Sequence, residues 1–287
     1  MIAVVGFGVW LASLFLLPAP LAARITLGAP LVLAPALLAI HPAGMWARRA
    51  GGPVALAAAL PLLIAFALPA GPAGAAFALP WLVFCLTVAC AAAWHGLVRL
   101  PGILDPRRGV ELGAYLALAF LAAGAAFLLS DRLGFRPLNI STAIILLTAT
   151  HFHFAGFGLM TVACLLGRRR PALRGPILGL AFGIPFTAVG FVLASDALNA
   201  LGASVVGLSG LGVAAALLTT PDDGPHRWLQ RAAGTAMSIG FPMGIAWAWS
   251  IWLGIGFIDL DLMVRTHGVL NASGVLIATF ALRDQRA

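Results

Sequence analysis

The sequence has no lysine, a single glutamate (Glu111) and a single tyrosine (Tyr115), and only 9% of its residues are charged. Soluble proteins carry about 25% charged residues, so a free globular domain is excluded. Cysteine is scarce as well. Cys85, Cys90 and Cys164 all sit in apolar stretches, where a thiol behaves as a small hydrophobe, and their spacing suits neither a zinc motif nor a disulfide framework. Long polar stretches are missing. The longest, TTPDDGPHRWLQR over 219–231, reads as a turn with Pro-Asp-Asp-Gly punctuation and leaves no room for a soluble catalytic domain. There is no HxxxH or HxxHH box, no HExxH, no GxSxG and no DDxxD. These absences argue against di-iron hydroxylation, zinc proteolysis, serine esterases and prenyl-diphosphate chemistry.

What is present is apolar. The chain is 62% hydrophobic with a mean hydropathy of +1.04. That composition predicts an all-α polytopic membrane protein, one integral membrane domain over 1–287, with membrane lipids as its surroundings. The net charge of +8 comes from arginines in small groups flanking apolar runs. It therefore reads as topology and contact with anionic lipid. No basic face interleaved with aromatics exists, and nucleic acid is not expected as a partner. The Ala/Arg/Gly/Pro-rich, lysine-free composition is that of a GC-rich bacterial coding sequence, which points to the cytoplasmic (inner) membrane of a bacterium. The first apolar run lacks the basic flank of a signal peptide and reads as a membrane helix.

A membrane helix needs about 20 mostly apolar residues. Such runs fall at about 2–22, 28–41, 53–70, 75–98, 109–130, 139–166, 176–195, 203–219, 229–256 and 259–282. The second is short and punctuated by prolines, which suggests a re-entrant or tilted segment, and the tenth begins with charges. Arginine placement tests this map. With ten spans, one side of the membrane holds Arg48, Arg49, Arg99, Arg107, Arg108, Arg168, Arg169, Arg170, Arg174, Arg227, Arg231, Arg283 and Arg286, while the other holds Arg24, Arg132, Arg136 and Arg265. Thirteen against four is the asymmetry of a protein with both termini in the cytoplasm. The halves show no convincing internal repeat.

The feature that points to chemistry is His151 and His153 in TATHFHFAGFGLM. An ionisable side chain at bilayer depth costs at least about 2–3 kcal/mol and marks a functional site by default. Counting from Asn139 at 1.5 Å per residue puts His151 about 18 Å deep, near the midplane. Residues two apart on a regular helix face nearly opposite ways, so the two rings do not form a ready bidentate ligand. Thr148 and Thr150 each lie three residues before a histidine and offer it a hydroxyl on its own face. Gly156 and Gly158 allow close helix approach or local unwinding. In the last run, IDLDLMVRTHGVLNASG, His267 and Asn271 share a face four residues apart, beside Gly268 and Gly274, and Asn271 is level with His151. These residues predict a small polar chamber built from the sixth and tenth helices. A purely structural reading stands beside it: the histidines bond to a threonine or a carbonyl and join helices, Asp259 or Asp261 caps the last helix, and Arg265 pairs with Asp261.

A second cluster lies near the cytoplasmic face. His95 and Arg99 end one helix, while Glu111 and Tyr115 begin the next on a shared face. An intramembrane carboxylate seeks a cation, so Glu111 with His95 or Arg99 reads either as a proton relay or as a structural ion pair. Asp131–Arg132 and Asp196/Asn199 fall at outer helix ends, where solvated loop chemistry is the expectation. His41 and His226 adjoin prolines in loops and receive no role. Bis-histidine haem, with His151 or His153 facing His267, stays open, as does a metal.

The phrases LLTATHFHFAGF (146–157) and MVRTHGVLNASG (263–274), with WHGLVRLPG ahead of GAYLALAF, resemble the YndJ-like family of bacterial polytopic membrane proteins. The resemblance covers roughly Trp94 to the C-terminus. It implies that His151, His153, His267 and Asn271 are the family's signature polar positions, and members of the family are often labelled transporters. The expected function is a transporter or carrier of a small or apolar solute, coupled to protons through these histidines, with Thr148, Thr150, Glu111, Tyr115 and His95 lining its path. Two alternatives stand beside it. One is a membrane enzyme using histidine acid–base or a histidine-bound metal on a lipid or isoprenoid-like substrate, with Asn271 orienting it. The other is a non-catalytic assembly or sensor protein.

Overall fold

Proline and glycine decide where the apolar runs become helices. In the computed structural model, which describes residues 2–98, 108–137, 140–220 and 226–283, the first helix, α1, covers Ile2–Leu16 and ends before Pro18 and Pro20. A proline has no N–H to donate and pushes the residue before it out of helical geometry. The next helix, α2, therefore starts at Leu21 and runs to Leu38. At 18 residues it is not short. It is continuous, takes a wider π-helical turn over Ala29–Leu33 at Pro30, and is largely buried among its neighbours. A one-turn helix, Met45–Arg49, leads into α3 (Pro53–Ala67), and α4 (Pro72–Val98), α5 (Gly109–Leu133) and α6 (Thr142–Gly167) follow. Beyond these lie α7 (Pro171–Val192), α8 (Asp196–Leu218), α9 (Arg227–Trp252) and α10 (260–282).

Ten helical segments thus occupy the ten apolar runs, and no strand occurs among the described residues. Six of them, α2 and α4–α8, are long and apolar enough to cross a membrane, and the protein is a multi-pass membrane protein. The expectation of ten crossings meets that standard for six. The apolar helices α1 and α3 are shorter because Pro18 and Pro69 end them early, and α9, at 26 residues, is long enough but less apolar.

The chain divides into two compact units, Met1–Thr161 and Val162–Ala287. In the first, α4 packs along α5, α5 along α6, and α3 against α4, while the wide turns of α2 and α6 touch each other. In the second, α7, α8, α9 and α10 pack in sequence as neighbouring helices. Helix ends follow ordinary capping rules. Ser141 accepts from Ile144 N–H, Ser195 from Leu198 N–H, and Asp259 from Leu262 N–H at 2.7 Å. Asp259 is the cap of α10, and Arg265 pairs with Asp261 one turn on, 2.6 Å apart and exposed. The α5 helix ends at Gly134, whose φ of 73° is the left-handed conformation that glycine adopts at helix C-termini.

Candidate functional site

The α6 helix begins at Thr142, since Ser141 is its cap; Asn139, from which the depth of His151 was counted, lies outside the described residues. His151 is therefore nine residues in, about 14 Å along the axis. Four polar side chains in the next two turns all reach back to the carbonyl four residues earlier. Thr148 donates to Ile144 O (2.7 Å) and Thr150 to Leu146 O (2.9 Å), while His151 Nδ1 donates to Leu147 O (2.7 Å) and His153 Nδ1 to Ala149 O (2.7 Å). A carbonyl can only accept, so each ring carries its proton on Nδ1. Side chains that compete for helical carbonyls loosen the helix. Immediately beyond, over Phe152–Leu159, the backbone widens into a π-helix. The threonines thus serve their own helix rather than the histidines, and Thr150 also meets Thr26 of α2 across 2.6 Å.

The two rings face opposite ways, as helical geometry requires. His151 is exposed and His153 is fully buried. Trp81 of α4 donates its indole N–H to His153 Nε2 at 3.1 Å, so both nitrogens of His153 are matched. The indole stacks near the ring, with centroids 6.0 Å apart and planes 20° from parallel. Gly124 of α5 makes room for it, since a Cβ there would stand 2.5 Å from His153 Nδ1. Gly156 does the same for Phe120.

In the second unit, α10 also widens into a π-helical turn, over Val264–Gly268, and this turn holds His267. His267 Nδ1 lies 2.9 Å from Gly240 O of α9 and 3.0 Å from the Asn271 amide. The Gly240 bond fixes the proton on Nδ1. A half-turn of the Asn271 amide, which exchanges its two ends without moving the side chain, then lets its oxygen share that N–H. The far end of the amide is buried with no partner among the described residues. Gly240 and Gly244, in the phrase GFPMG, form the seat. A Cβ on Gly240 would overlap Asn271, and one on Gly244 would come within 2.5 Å of His267 Cε1. This small-xxx-small spacing, the usual signature of close helix contact, was the signal that an inspection restricted to polar residues overlooks. Trp81 and Gly124 carry no comparable signal.

The two pairs, His151/His153 and His267/Asn271, belong to different units, and each is described within its own. Among the described residues no three His, Cys, Asp or Glu side chains come together as a metal site.

The expected cluster at the cytoplasmic face is arranged differently. Glu111 is exposed and faces Arg108 at 3.9 Å, rather than His95. At that distance and exposure the pair contributes little. The His95 ring stacks on Trp46 with centroids 4.8 Å apart, and Tyr115 is buried beside Gly96. Arg99 lies outside the described residues. His41 lies outside the helices, in the connection after α2, and is fully buried there: it accepts from Ala43 N–H at 3.2 Å, meets Thr161 Oγ1 at 3.4 Å and stacks on Phe157.

Asp131–Arg132 also departs from the expectation of solvated loop chemistry. Asp131 Oδ2 accepts from both Nε and Nη2 of Arg132 at 2.8 Å, and Asp131 is only 3% exposed. The pair is buried because the turns after α1 and α3 close over the end of α5.

No curated protein and no solved structure matches the chain. The family model of YndJ-like proteins matches residues 24–275, starting well before Trp94 and taking in both histidine phrases and the helices around them, and the chain belongs to that family.

Proposed function

We propose that the protein is a proton-coupled carrier of a small or apolar solute in the bacterial cytoplasmic membrane. In this reading it crosses ten times with both ends in the cytoplasm. In the second unit His267 and Asn271 bind the solute or pass protons, and in the first His151 passes protons while Trp81 braces the buried His153. The observation that carries the reading is the His267–Asn271 pair. Both side chains are half-buried in a helix of membrane-spanning length, joined to each other and to Gly240 O, with one amide end unmatched. A pair that only joined α9 to α10 would use both ends, since a buried polar group without a partner costs about 1–3 kcal/mol. A solute offering the complementary group recovers that cost.

Two further features support the reading. π-helical turns inside α-helices occur frequently at functional sites, and here they hold His153 and His267, with His151 just before the first of them. In addition, a ring held by its Nδ1–H takes up and releases a proton at Nε2 without losing its anchor. The ten helical segments and the thirteen-to-four arginine asymmetry support the topology.

Purified protein in proteoliposomes, with an internal pH dye and a panel of uncharged and weakly ionised solutes, tests the carrier reading. Solute-dependent proton flux is expected, falling at least about tenfold in His267→Ala and Asn271→Ala. A dye signal at the protein-free level for every solute removes the carrier reading. Conversion of co-purified lipid to new species, seen by mass spectrometry, would put the membrane-enzyme reading in its place.

A further inference from the structure

At one end of the first unit, on the side that the arginine count assigns to the outside, a cleft of about 380 Å³ opens between the turns after α1 and α3, the end of α5 and the start of α6. A volume of that size lies at the lower end of small-molecule sites. Its walls are apolar, from Pro18, Pro20, Phe66 and Leu68 among others, and its polar groups are Asp131, Arg132 and Thr142.

Arg132 is held from every side. Its Nε and Nη2 donate to Asp131 Oδ2, its Nη1 donates to Ala65 O at 3.3 Å, and its guanidinium lies over the Phe66 ring, 4.4 Å from the centroid. Desolvating an ion pair costs several kcal/mol per ion unless such bonds compensate it, so this arrangement is preformed rather than a cation free to swing. Its charge is already cancelled by Asp131. The carboxylate is not saturated, however. Oδ2 takes both arginine bonds, while Oδ1 accepts nothing among the described residues, and Asp131 lines the cleft. The wall therefore offers one acceptor oxygen and the Thr142 hydroxyl, with no net charge and an apolar surround.

We propose that this cleft binds an uncharged, hydroxyl-bearing molecule with a short apolar portion, its hydroxyl donating to Asp131 Oδ1. A charged ligand would enter without a counter-charge, because the local pair is internally compensated, and burial of an unpaired charge is prohibitive. A purely apolar one would leave the carboxylate oxygen unmatched. The site stands whether or not the carrier reading holds. The same chemistry is available from a free diol or from the glyceryl head of a monoacylglycerol.

Saturation-transfer NMR on the full chain in lipid nanodiscs, with 1,2-hexanediol as probe and empty nanodiscs as background, tests the proposal. Hexanoate and hexylammonium serve as charged counterparts. Saturable hexanediol binding is expected, lost in Ala143→Leu, which fills the cleft from an exposed lining position, and weakened at least about fivefold in Asp131→Asn. Should Asp131→Asn fail to fold, Ala143→Leu alone decides. Equal binding to wild type and Ala143→Leu overturns the proposal, and so does hexylammonium binding as tightly as the diol. Displacement of hexanediol by monoolein supports the lipid source, and its absence supports the free solute, both within the proposed class.

Discussion

Trp81 donates its indole N–H to His153 Nε2 across 3.1 Å, while His153 Nδ1 donates to Ala149 O at 2.7 Å. One buried imidazole thus bonds to the carbonyl of its own helix and to a side chain of another, with no capacity left over. Trp81→Phe keeps an aromatic six-membered ring but removes the indole N–H and the five-membered ring, leaving a buried nitrogen unmatched, at a cost of about 1–3 kcal/mol, and a small cavity that adds to it. Thermal unfolding in detergent should show a clear drop for Trp81→Phe and almost none for Trp94→Phe, since Trp94 is 69% exposed. Equal melting temperatures would show that the bond has no structural weight.

The seat formed by Gly240 and Gly244 predicts strong coupling between α9 and α10. Gly244→Ala places a methyl group against His267, and overpacking of this kind costs about 1–3 kcal/mol. Shortening the partner should relieve it, so Gly244→Ala combined with His267→Ala should be less destabilised than the sum of the two single changes. Additive losses would place His267 away from Gly244.

A similar cycle applies to Thr26 and Thr150. Their hydroxyls are 2.6 Å apart, and each also reaches a carbonyl of its own helix, to Ala22 O and Leu146 O. Two protons serve three bonds, so the pair shares them. Thr150→Val should cost about 1 kcal/mol. Adding Thr26→Val should cost less again than it does alone, read from melting temperatures of the four proteins.

The ten-span topology predicts opposite accessibility at two exposed arginines. With Cys85, Cys90 and Cys164 replaced by alanine, Arg136→Cys should react with a membrane-impermeant maleimide added to intact cells. Arg169→Cys should react only after the membrane is opened. Labelling of both from outside would require an odd number of crossings fewer between them.

The membrane class and the ten helical segments were legible in the sequence because both follow from composition and run length. The start of α10 at Asp259 was legible too, since capping is local chemistry, whereas α8 begins at Asp196, a full turn and more before the apolar run at 203 that marked it. The wide turns in α2, α6 and α10 were not. A single surplus residue barely alters an apolar run that is hydrophobic on all sides, so periodicity carries no trace of it. Side-chain choice was only half visible. The polar residues from Thr148 to His153 were apparent, yet all four side chains chose helical carbonyls over one another because those carbonyls are nearest and pre-aligned. Asp131 was misjudged for a third reason. Its burial comes from turns at Pro18–Pro20 and Leu68–Ala70, far from it in sequence, and only the fold brings them over the end of α5.

The widened turns also set a rule about chain length. A π-helical turn is an α-helix with a spare residue that its flanks do not need for register. Removing one residue within 152–159 lets the helix close to its ordinary pitch with both flanks still facing their neighbours. Removing one at 144–147 instead rotates everything beyond it by about 100°. The spare residue is thus dispensable to packing on either side, and its effect is confined to where it aims His153 and the phenylalanines around it. Insertions and deletions, more than substitutions, distinguish the part of α6 that supports the fold from the part that shapes its interior.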